Sequence, residues 1–451
     1  MIIDAFAGGG GASVGIEIAL GKPVDIAIDH DPQAILMHKT NHPNTLHLTE
    51  DIFKVDLQKY VGGRHVDLMW ASPDCTSHSK AKGGQPRKHG LRILPWAVFE
   101  HARQILPDVI IMENVEEIQQ WGPLDESGKP IKDRVGEDYN RFITAMKSLG
   151  YMFESKELVA ADYGAPTTRK RWYAIFRRDG RDIEWPVQAH YRDGDPRWIQ
   201  CGDYIDWSDL GTSIFGRKKE LAEATQKRIA NGIRKYIIEN PNPYIVNDER
   251  AIAFMIQYHG EQKAGESRGQ VLTEPIKTID TSNRYGLVTA FITKFYKSGT
   301  GQGCDEPLHT ITTSPGHFGL VSAFLVKYYS TGCGQELTEP LATITTKDRF
   351  GLVNVILTIK GQKYIISDIY LRMLKPEELK LMQGFPKDYI IDRDYHWNKY
   401  PTSEQVKRIG NSVVPIMAKK LVEANCPYLK AGNRAPNPII YTQSNGQMAF
   451  A

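Results

Sequence analysis

The chain has 451 residues, a formal net charge of +3, 41% hydrophobic residues and 24% charged residues. At roughly 150 residues per domain, this predicts two or three domains with packed cores and excludes global disorder and a histone-like polycation. Apolar runs such as Val109 to Met112 are too short to span a bilayer, and Met1-Ile2-Ile3-Asp4 carries no basic flank or cleavage site. The five cysteines, Cys75, Cys201, Cys304, Cys333 and Cys426, are scattered and form no CxxC pair. That spacing predicts neither a disulfide framework nor a zinc ribbon, and it places the protein in a reducing cytoplasm.

Four short apolar strands are expected in the first third: Met1 to Phe6, Val24 to Ile28, Val66 to Trp70 and Val109 to Met112. Helical patterns at Pro32 to Thr40 and Trp96 to Leu106 lie between them. Buried strands alternating with helices predict an open, mainly parallel α/β sheet, whose ligands gather at the carboxyl ends of the strands. After about residue 185 the pattern changes, and residues 211–237 read as an exposed helix carrying Arg217-Lys218-Lys219 and Lys227-Arg228.

A repeat follows. Glu274-Pro275-Ile276-Lys277-Thr278-Ile279 recurs from Glu306 and from Glu339, with proline spacings of 32 and 33. Each copy is followed by Gly-Leu-Val, at Gly286, Gly319 and Gly351, and preceded by an Ala-Phe pair, at Ala253, Ala290 and Ala323. Thr, Ile, Val and aromatic enrichment between Gly/Pro turns predicts repeated β units, so a mostly β domain interrupts the α/β one. The expected division is 1–185, an inserted domain at 186–365, a return to α/β character at 366–426 and a surface tail at 427–451.

Two features of the α/β part carry chemistry. Asp4 to Ser13, with Gly8, Gly9, Gly10 and Gly11, follows the first strand and opens a helix, so a ligand can press against bare backbone. Asp29 ends the second strand 19 residues after Gly10, the reach of a carboxylate that binds ribose hydroxyls, and Asp51-Ile52 follows the next element. A dinucleotide fingerprint would want glycine where Ser13 stands, which favours a nucleoside ligand over NAD. Second, Cys75 sits just past the third strand before a polar loop, and Glu113 directly follows the fourth. Either residue alone is ambiguous between a core position and a reactive one; the position of Cys75 favours a nucleophile, and Glu113, too polar to continue a core strand, is expected to face the same cleft.

Taken in order, these segments resemble the cytosine-5 DNA methyltransferases over the full length of the chain. Phe6-Ala7-Gly8 with Gly10 and Gly11 resembles the cofactor loop, Pro73-Asp74-Cys75 the nucleophile motif and Glu113-Asn114-Val115 the acid motif. Asp162 to Arg171 resembles the motif ending in Arg-x-Arg. Arg372 to Glu378 with Gln383-Gly384-Phe385-Pro386 resembles the motif after the variable domain, and Gly410 to Val413 the closing motif. Four positions depart from the family pattern: Asp74 and Thr76 flank the cysteine, Thr167 heads the Arg-x-Arg motif and Leu381 stands in for an arginine.

The resemblance implies a Rossmann-like methyltransferase sheet with an inserted target-recognition domain, S-adenosylmethionine as cofactor and double-stranded DNA as partner. It implies Cys75, Glu113, Arg169 and Arg171 as catalytic residues. Phe6, Gly8, Gly10, Gly11, Asp29, His30, Asp51, Ile52, Leu94, Asn411, Ser412 and Val413 would line the cofactor. A stretch without acids, residues 76–99, reads as a basic lid that closes on phosphates through Lys80, Lys82, Arg87, Lys88 and Arg92. Residues 245–360 balance 11 basic against 11 acidic residues, so Arg284, Lys294 and Arg349, set beside aromatics, are the expected DNA contacts rather than a general polycationic surface. No metal is expected. A monomer is expected, with a restriction or defence system as its setting. An RNA methyltransferase of the same fold, an NAD-dependent oxidoreductase and a non-catalytic DNA-binding regulator are the alternatives.

Overall fold

A computed structural model describes residues 1–74, 92–189, 198–246, 251–258, 268–294, 324–327, 335–336, 350–352, 356–359, 362–431, 440–442 and 448–450. The chain forms two compact units: Met1–Tyr204 with Glu274–Asn283 and Lys375–Ala451, and Ile205–Thr273 with Arg284–Leu374.

The first unit is built on seven strands: β1 (Ile2–Ala5), β2 (Ile26–Asp29), β3 (Leu46–Thr49), β4 (Leu68–Ala71), β5 (Val109–Asn114), β6 (Met152–Val159) and β7 (Lys170–Arg177). They lie in the order β3-β2-β1-β4-β5-β7-β6. The β1, β2, β3, β4 and β5 pairings are parallel, and β7 runs antiparallel to both β5 and β6. The central strands read as unbroken apolar runs because both faces are covered. Alternate side chains explain the two cores: Ile3, Met69, Ile110 and Met112 pack on one face, and Ile2, Leu68, Trp70, Val109 and Ile111 on the other.

Helices α1 (Gly11–Leu20), α2 (Pro32–Asn41), α3 (Leu57–Val61), α4 (Leu94–Ile105) and α5 (Glu137–Ser148) fill the connections, and α6 (Pro376–Met382), α7 (Thr402–Asn411) and α8 (Pro415–Asn425) return from the C-terminal part. Residues of α1 and α8 share one core, and residues of α4 and α5 share the other. Two glycines one helical turn apart let α1 lie close against the C-terminal segment. A Cβ at Gly11 would fall 2.2 Å from the Val413 carbonyl oxygen, and one at Gly15 would fall 2.2 Å from that of Pro415. The start of α2 follows directly from its sequence: Asp31 accepts from the Gln33 and Ala34 amides, and Pro32 occupies the first turn, where its missing N–H costs nothing.

In the second unit, the strand Ala251–Gln257 pairs antiparallel with Tyr285–Lys294, which pairs antiparallel with Gln362–Met373. Ile229, Tyr236 and Ile237 pack with Ile252, Phe254, Ile256 and Val288 to form its core. Gly232 permits this approach, since a Cβ there would meet the Phe254 ring at 2.1 Å. The sequence repeat reappears as repeated strand register. Ile256 faces Gly286 and Gln257 faces Tyr285 in the first copy; Val326 faces Gly351 and Lys327 faces Phe350 in the third.

Residues 211–237 are not one helix. Helix begins only at Glu223, with a wider-turned continuation at Ile233–Ile238. Before it, Gly211 has a left-handed φ of 87°, and Arg217 donates to the Thr212 and Ser213 carbonyls, which holds a turn in place of a helix. Arg284, Lys294 and Arg349 differ in what can be said of them. The Arg284 side chain donates to the Tyr258 carbonyl at 3.2 Å, Lys294 ends the long strand, and Arg349 lies outside the described residues.

Candidate active site

The glycine turn connects β1 to α1 and takes up its conformation through Phe6 (φ 65°), Gly8 (φ 52°) and Gly10 (φ 91°). An added Cβ at Gly8 would meet no other atom within 4 Å, so that side of the turn is open. Gly10 is closed on its other side: a Cβ there would meet the Tyr389 hydroxyl at 2.2 Å and His42 Nε2 at 3.2 Å. Tyr389 also donates its hydroxyl to the Gly9 carbonyl at 2.6 Å. Tyr389 is positioned in turn by Lys380, a buried ammonium that donates to the Lys387 and Tyr389 carbonyls at 2.7 and 3.0 Å.

Asp29 closes the turn from β2. Its two oxygens accept from the Gly8 amide at 2.9 Å and the Asp31 amide at 2.8 Å. Burial raises its carboxyl above the usual range, opposed by those two amides and by nearby His30. Each carboxylate oxygen accepts only one of these bonds, so lone pairs remain for ribose hydroxyls. The His30 side chain is 79% exposed beside it, free to lie against a flat base. Asp31 behaves differently: burial would raise its carboxyl, but the Arg408 guanidinium at 2.6 Å holds it low.

Asp51 is exposed and accepts from the Phe53 amide at 3.1 Å, with Ile52 buried behind it. Leu94 opens α4. Asn411 ends α7 with its side chain exposed, whereas Ser412 and Val413 are buried against Gly11. The turn, Asp29 and the Ser412-Val413 backbone thus form a cradle whose open face suits a nucleoside with a charged side arm.

At the carboxyl end of β5, Glu113 is 8% exposed and its Oε1 lies 3.2 Å from the Arg171 Nε on the neighbouring antiparallel strand β7. Asn114 donates from Nδ2 to the Pro73 carbonyl at 3.0 Å and accepts from the Val115 amide at 2.9 Å. That bond ties the segment two residues before Cys75 to the acid-bearing strand. Arg169 is buried and donates to the Ile279 and Gly410 carbonyls at 3.3 and 3.1 Å. Thr167, wholly buried, accepts from the Arg169 amide at 3.3 Å, and Thr168 donates its amide to the Ile276 carbonyl. The first Glu-Pro segment of the repeat is therefore built into the same unit as the arginines.

Cys75, Lys80, Lys82, Arg87 and Lys88 lie outside the described residues. Arg92, grouped with the basic lid by its charge, is instead 3% exposed and donates to the Gly122 carbonyl at 2.6 Å, so it does not face solvent phosphates. Of the other cysteines, Cys201 and Cys426 are fully buried. Burial pushes the Cys201 thiol far up and the Cys426 thiol up to about 12, so neither offers a thiolate near neutral pH.

A dinucleotide-binding sheet of order 3-2-1-4-5-6 is parallel throughout. Here an antiparallel β7 is inserted before β6, and the acid–arginine pair straddles that junction. The glycine turn, the Asp29 carboxylate bonded to it, the reversed strand and the Glu113–Arg171 pair together mark a methyltransferase of the nucleoside-cofactor kind. The chain belongs to the C-5 cytosine-specific DNA methylases, whose family model matches residues 1–425.

Among curated relatives it is 28% identical over 196 residues to the Type II methyltransferase M.AquIA of Picosynechococcus, covering 42% of this chain and 76% of that one. It is 30% identical to M.AgeI of Thalassovita gelatinovora, covering 42% of each, and 26% identical to M.SacI of Streptomyces achromogenes, covering 51% of this chain and 62% of that one. Among solved structures it is similar to the Entamoeba histolytica methyltransferase EhMeth, at 14% identity and a TM-score of 0.46 over 95% of this chain and 97% of that one. No helix among the described residues is long and apolar enough to cross a membrane.

The sequence reading did not single out Tyr389, Lys380, His38 or the pairing of Ser13 with Asp4. Nothing in periodicity marks them. The spacing of Gly11 and Gly15 by one helical turn was the readable sign that a segment packs on α1.

Proposed function

We propose that the chain transfers a methyl group from S-adenosylmethionine to carbon 5 of a cytosine flipped out of double-stranded DNA. A base inside a duplex cannot reach a buried strand end, so extrusion is required. Carbon 5 of cytosine is a poor nucleophile. Addition of the Cys75 thiolate to carbon 6 turns the ring into an enamine that can attack an electrophilic methyl, which the sulfonium supplies. Glu113 protonates or hydrogen-bonds ring nitrogen 3 and so draws electrons away from carbon 6. Arg171 holds that carboxyl in place, and Arg169 braces the same strand end. After transfer, loss of the proton from carbon 5 expels the thiolate and restores the ring.

The observation that carries this reading is the Glu113–Arg171 pair at 3.2 Å, with Asn114 fastening Pro73 beside it. Gly8, Gly10, Gly11 and Phe6 would take the methionine arm, Asp29 the ribose, His30, Asp51 and Ile52 the adenine, and Leu94, Asn411, Ser412 and Val413 the remaining wall. Lys80, Lys82, Arg87 and Lys88 would hold phosphates; Arg284, Lys294 and Arg349 would serve recognition in the second unit. The relatives' names, Type II methyltransferases, support a cytoplasmic role beside a restriction or defence nuclease. Bisulfite sequencing of DNA from cells expressing the chain tests the proposal. Protected cytosines at one recurring sequence are expected; protection absent, or methyl found only in RNA, would overturn it.

A further inference from the structure

Beneath the glycine turn lies a chain of buried polar side chains that no step above uses. Asp4 (β1), Ser13 (α1) and His38 (α2) are each 0% exposed. Ser13 donates its hydroxyl to Asp4 Oδ2 at 2.6 Å. His38 Nε2 lies 2.9 Å from the Ser13 oxygen, and His38 Nδ1 lies 2.8 Å from His47 Nε2. His47 (β3) is half-buried and forms the outer end.

The donors and acceptors link the tautomers to one another, so two arrangements satisfy the chain. If Ser13 gives its proton to Asp4, its oxygen accepts from His38 Nε2–H; His38 Nδ1 is then bare and accepts from His47 Nε2–H. Asp4 Oδ1 has no hydrogen-bond partner, so the carboxyl is compensated on one oxygen only. The same chain works in reverse. One proton arriving at His47 Nδ1 lets His47 pass its Nε2 proton to His38, His38 its Nε2 proton to Ser13, and Ser13 its own to Asp4. Every member keeps a hydrogen bond, and the net change is one proton gained by Asp4. The relay touches the turn directly, because a Cβ at Gly10 would lie 3.3 Å from the His38 ring.

We propose that Asp4, Ser13, His38 and His47 form a proton relay under the glycine turn, with Asp4 a positioning residue whose ionisation favours the cationic methyl donor over its product. The proposal rests on the cofactor reading given above. S-adenosylmethionine carries a sulfonium and an ammonium against one carboxylate and is a net cation; the product has lost the sulfonium charge. A net cation near a buried carboxyl stabilises its ionised form, so binding the donor releases a proton from Asp4, and binding the product releases less.

The environment places this titration in a useful range. Burial pushes Asp4 up to about 7, with the Ser13 hydroxyl opposing and the Asp29 charge adding to it. His38 is held neutral by burial, with His42 and His47 beside it; His47 is pushed down to about 4 by burial, His42 and Lys39. Glu17 faces the group from α1, bonded to His42 Nδ1 at 2.9 Å, and the Tyr389 phenol is held neutral from the other side.

The test is calorimetry of donor and product binding at pH 7 in two buffers of different ionisation enthalpy, which counts the protons exchanged. The wild-type chain is expected to release on the order of a few tenths of a proton with S-adenosylmethionine and fewer with S-adenosylhomocysteine. Asp4→Asn should bind both with no proton release. Ser13→Ala, which takes away the carboxylate's donor while leaving the core volume nearly unchanged, should move the pH of greatest release upward. Release unchanged in Asp4→Asn, or a Ser13→Ala profile that coincides with wild type, overturns the relay. Absence of any binding heat in the wild-type chain would instead refute the cofactor reading. Weaker binding of both ligands by Asp29→Ala supports that reading independently.

Discussion

Gly11→Ala gives the sharpest test of how the cofactor cradle is built. Two effects oppose each other. Gly11 is the first residue of α1, and alanine there would ordinarily favour helix by up to about 1 kcal/mol. Against this, the new Cβ would sit 2.2 Å from the Val413 carbonyl oxygen and 2.4 Å from Ser412 Oγ. Ordinary carbon contacts lie at about 3.5 Å, so α1 or the Ser412-Val413 segment must retreat by more than about 1 Å. The near atom is the backbone oxygen of Val413, which accepts from Ser412 Oγ at 2.7 Å, and Gln383 Nε2 donates to the adjacent Ser412 carbonyl at 3.2 Å, so it cannot swing aside as a side chain would. Overpacking of this kind costs about 1–3 kcal/mol, which exceeds the propensity gain. Because the displaced segment is a proposed wall of the cradle, the loss should appear in binding as roughly a 5- to 150-fold weaker Kd for S-adenosylhomocysteine. Gly9→Ala is the control: its Cβ would meet Arg408 Cβ at 3.4 Å, an ordinary contact, and it should bind nearly as wild type. Titration calorimetry with a thermal melt on both variants decides the matter. A Gly11→Ala chain with wild-type Kd and melting temperature would refute the close-packing argument.

Three further outcomes follow from the same geometry. Glu113→Gln keeps the shape but not the acid, so single-turnover methylation should slow by roughly 10²–10⁴-fold with cofactor affinity unchanged; an unaltered rate would remove Glu113 from the chemistry. His47 is held neutral, down to about 4, in the fold, whereas the unfolded imidazole protonates near 6.5. The unfolded state therefore binds more protons below about 6.5, and stability should fall as pH drops from there toward 4. In urea unfolding at a series of pH values, His47→Gln should lose that part of the slope, while the opposing Asp4 contribution cancels in the difference. Arg284→Ala should relax sequence choice in a random-site methylation library if its side chain reads a base, since a paired contact to guanine discriminates by roughly 1–3 kcal/mol. Unchanged site preference with affinity intact would assign Arg284 to holding the Tyr258 carbonyl, which it already contacts at 3.2 Å.

Much of the catalytic sheet was legible because its strands are short, apolar on both faces and separated by helical patterns: Val109 to Met112 became β5 almost as read, and Pro32 opened α2 as expected. The reversal of β7 was not legible. Lys170–Arg177 has the same apolar, aromatic character whichever way it runs, and direction is decided by the connection through Ala160–Tyr163. Nor does the repeat reveal that its first Glu-Pro segment bonds with Thr168 and Arg169, because sequence periodicity carries no information about which backbone a segment meets. The misread helix at 211–222 shows the same limit: charge and polarity fit an exposed helix, but Gly211 and the Arg217 bonds to local carbonyls favour a turn. The buried relay under the turn was unreadable for a related reason, since Ser13, His38 and His47 gain their meaning only from contacts between different elements.

The central claim is covalent catalysis from one particular cysteine, and a mechanism-based trap measures it directly. Duplex DNA carrying 5-fluorocytosine at the methylated site cannot lose a proton from carbon 5, so the adduct should accumulate in the presence of S-adenosylmethionine. Proteolysis and mass spectrometry should then place the DNA on the peptide containing Cys75, and Cys75→Ser should bind the same duplex without trapping it. An adduct on Cys201, Cys304, Cys333 or Cys426, or full methylation by the serine variant, would contradict the account.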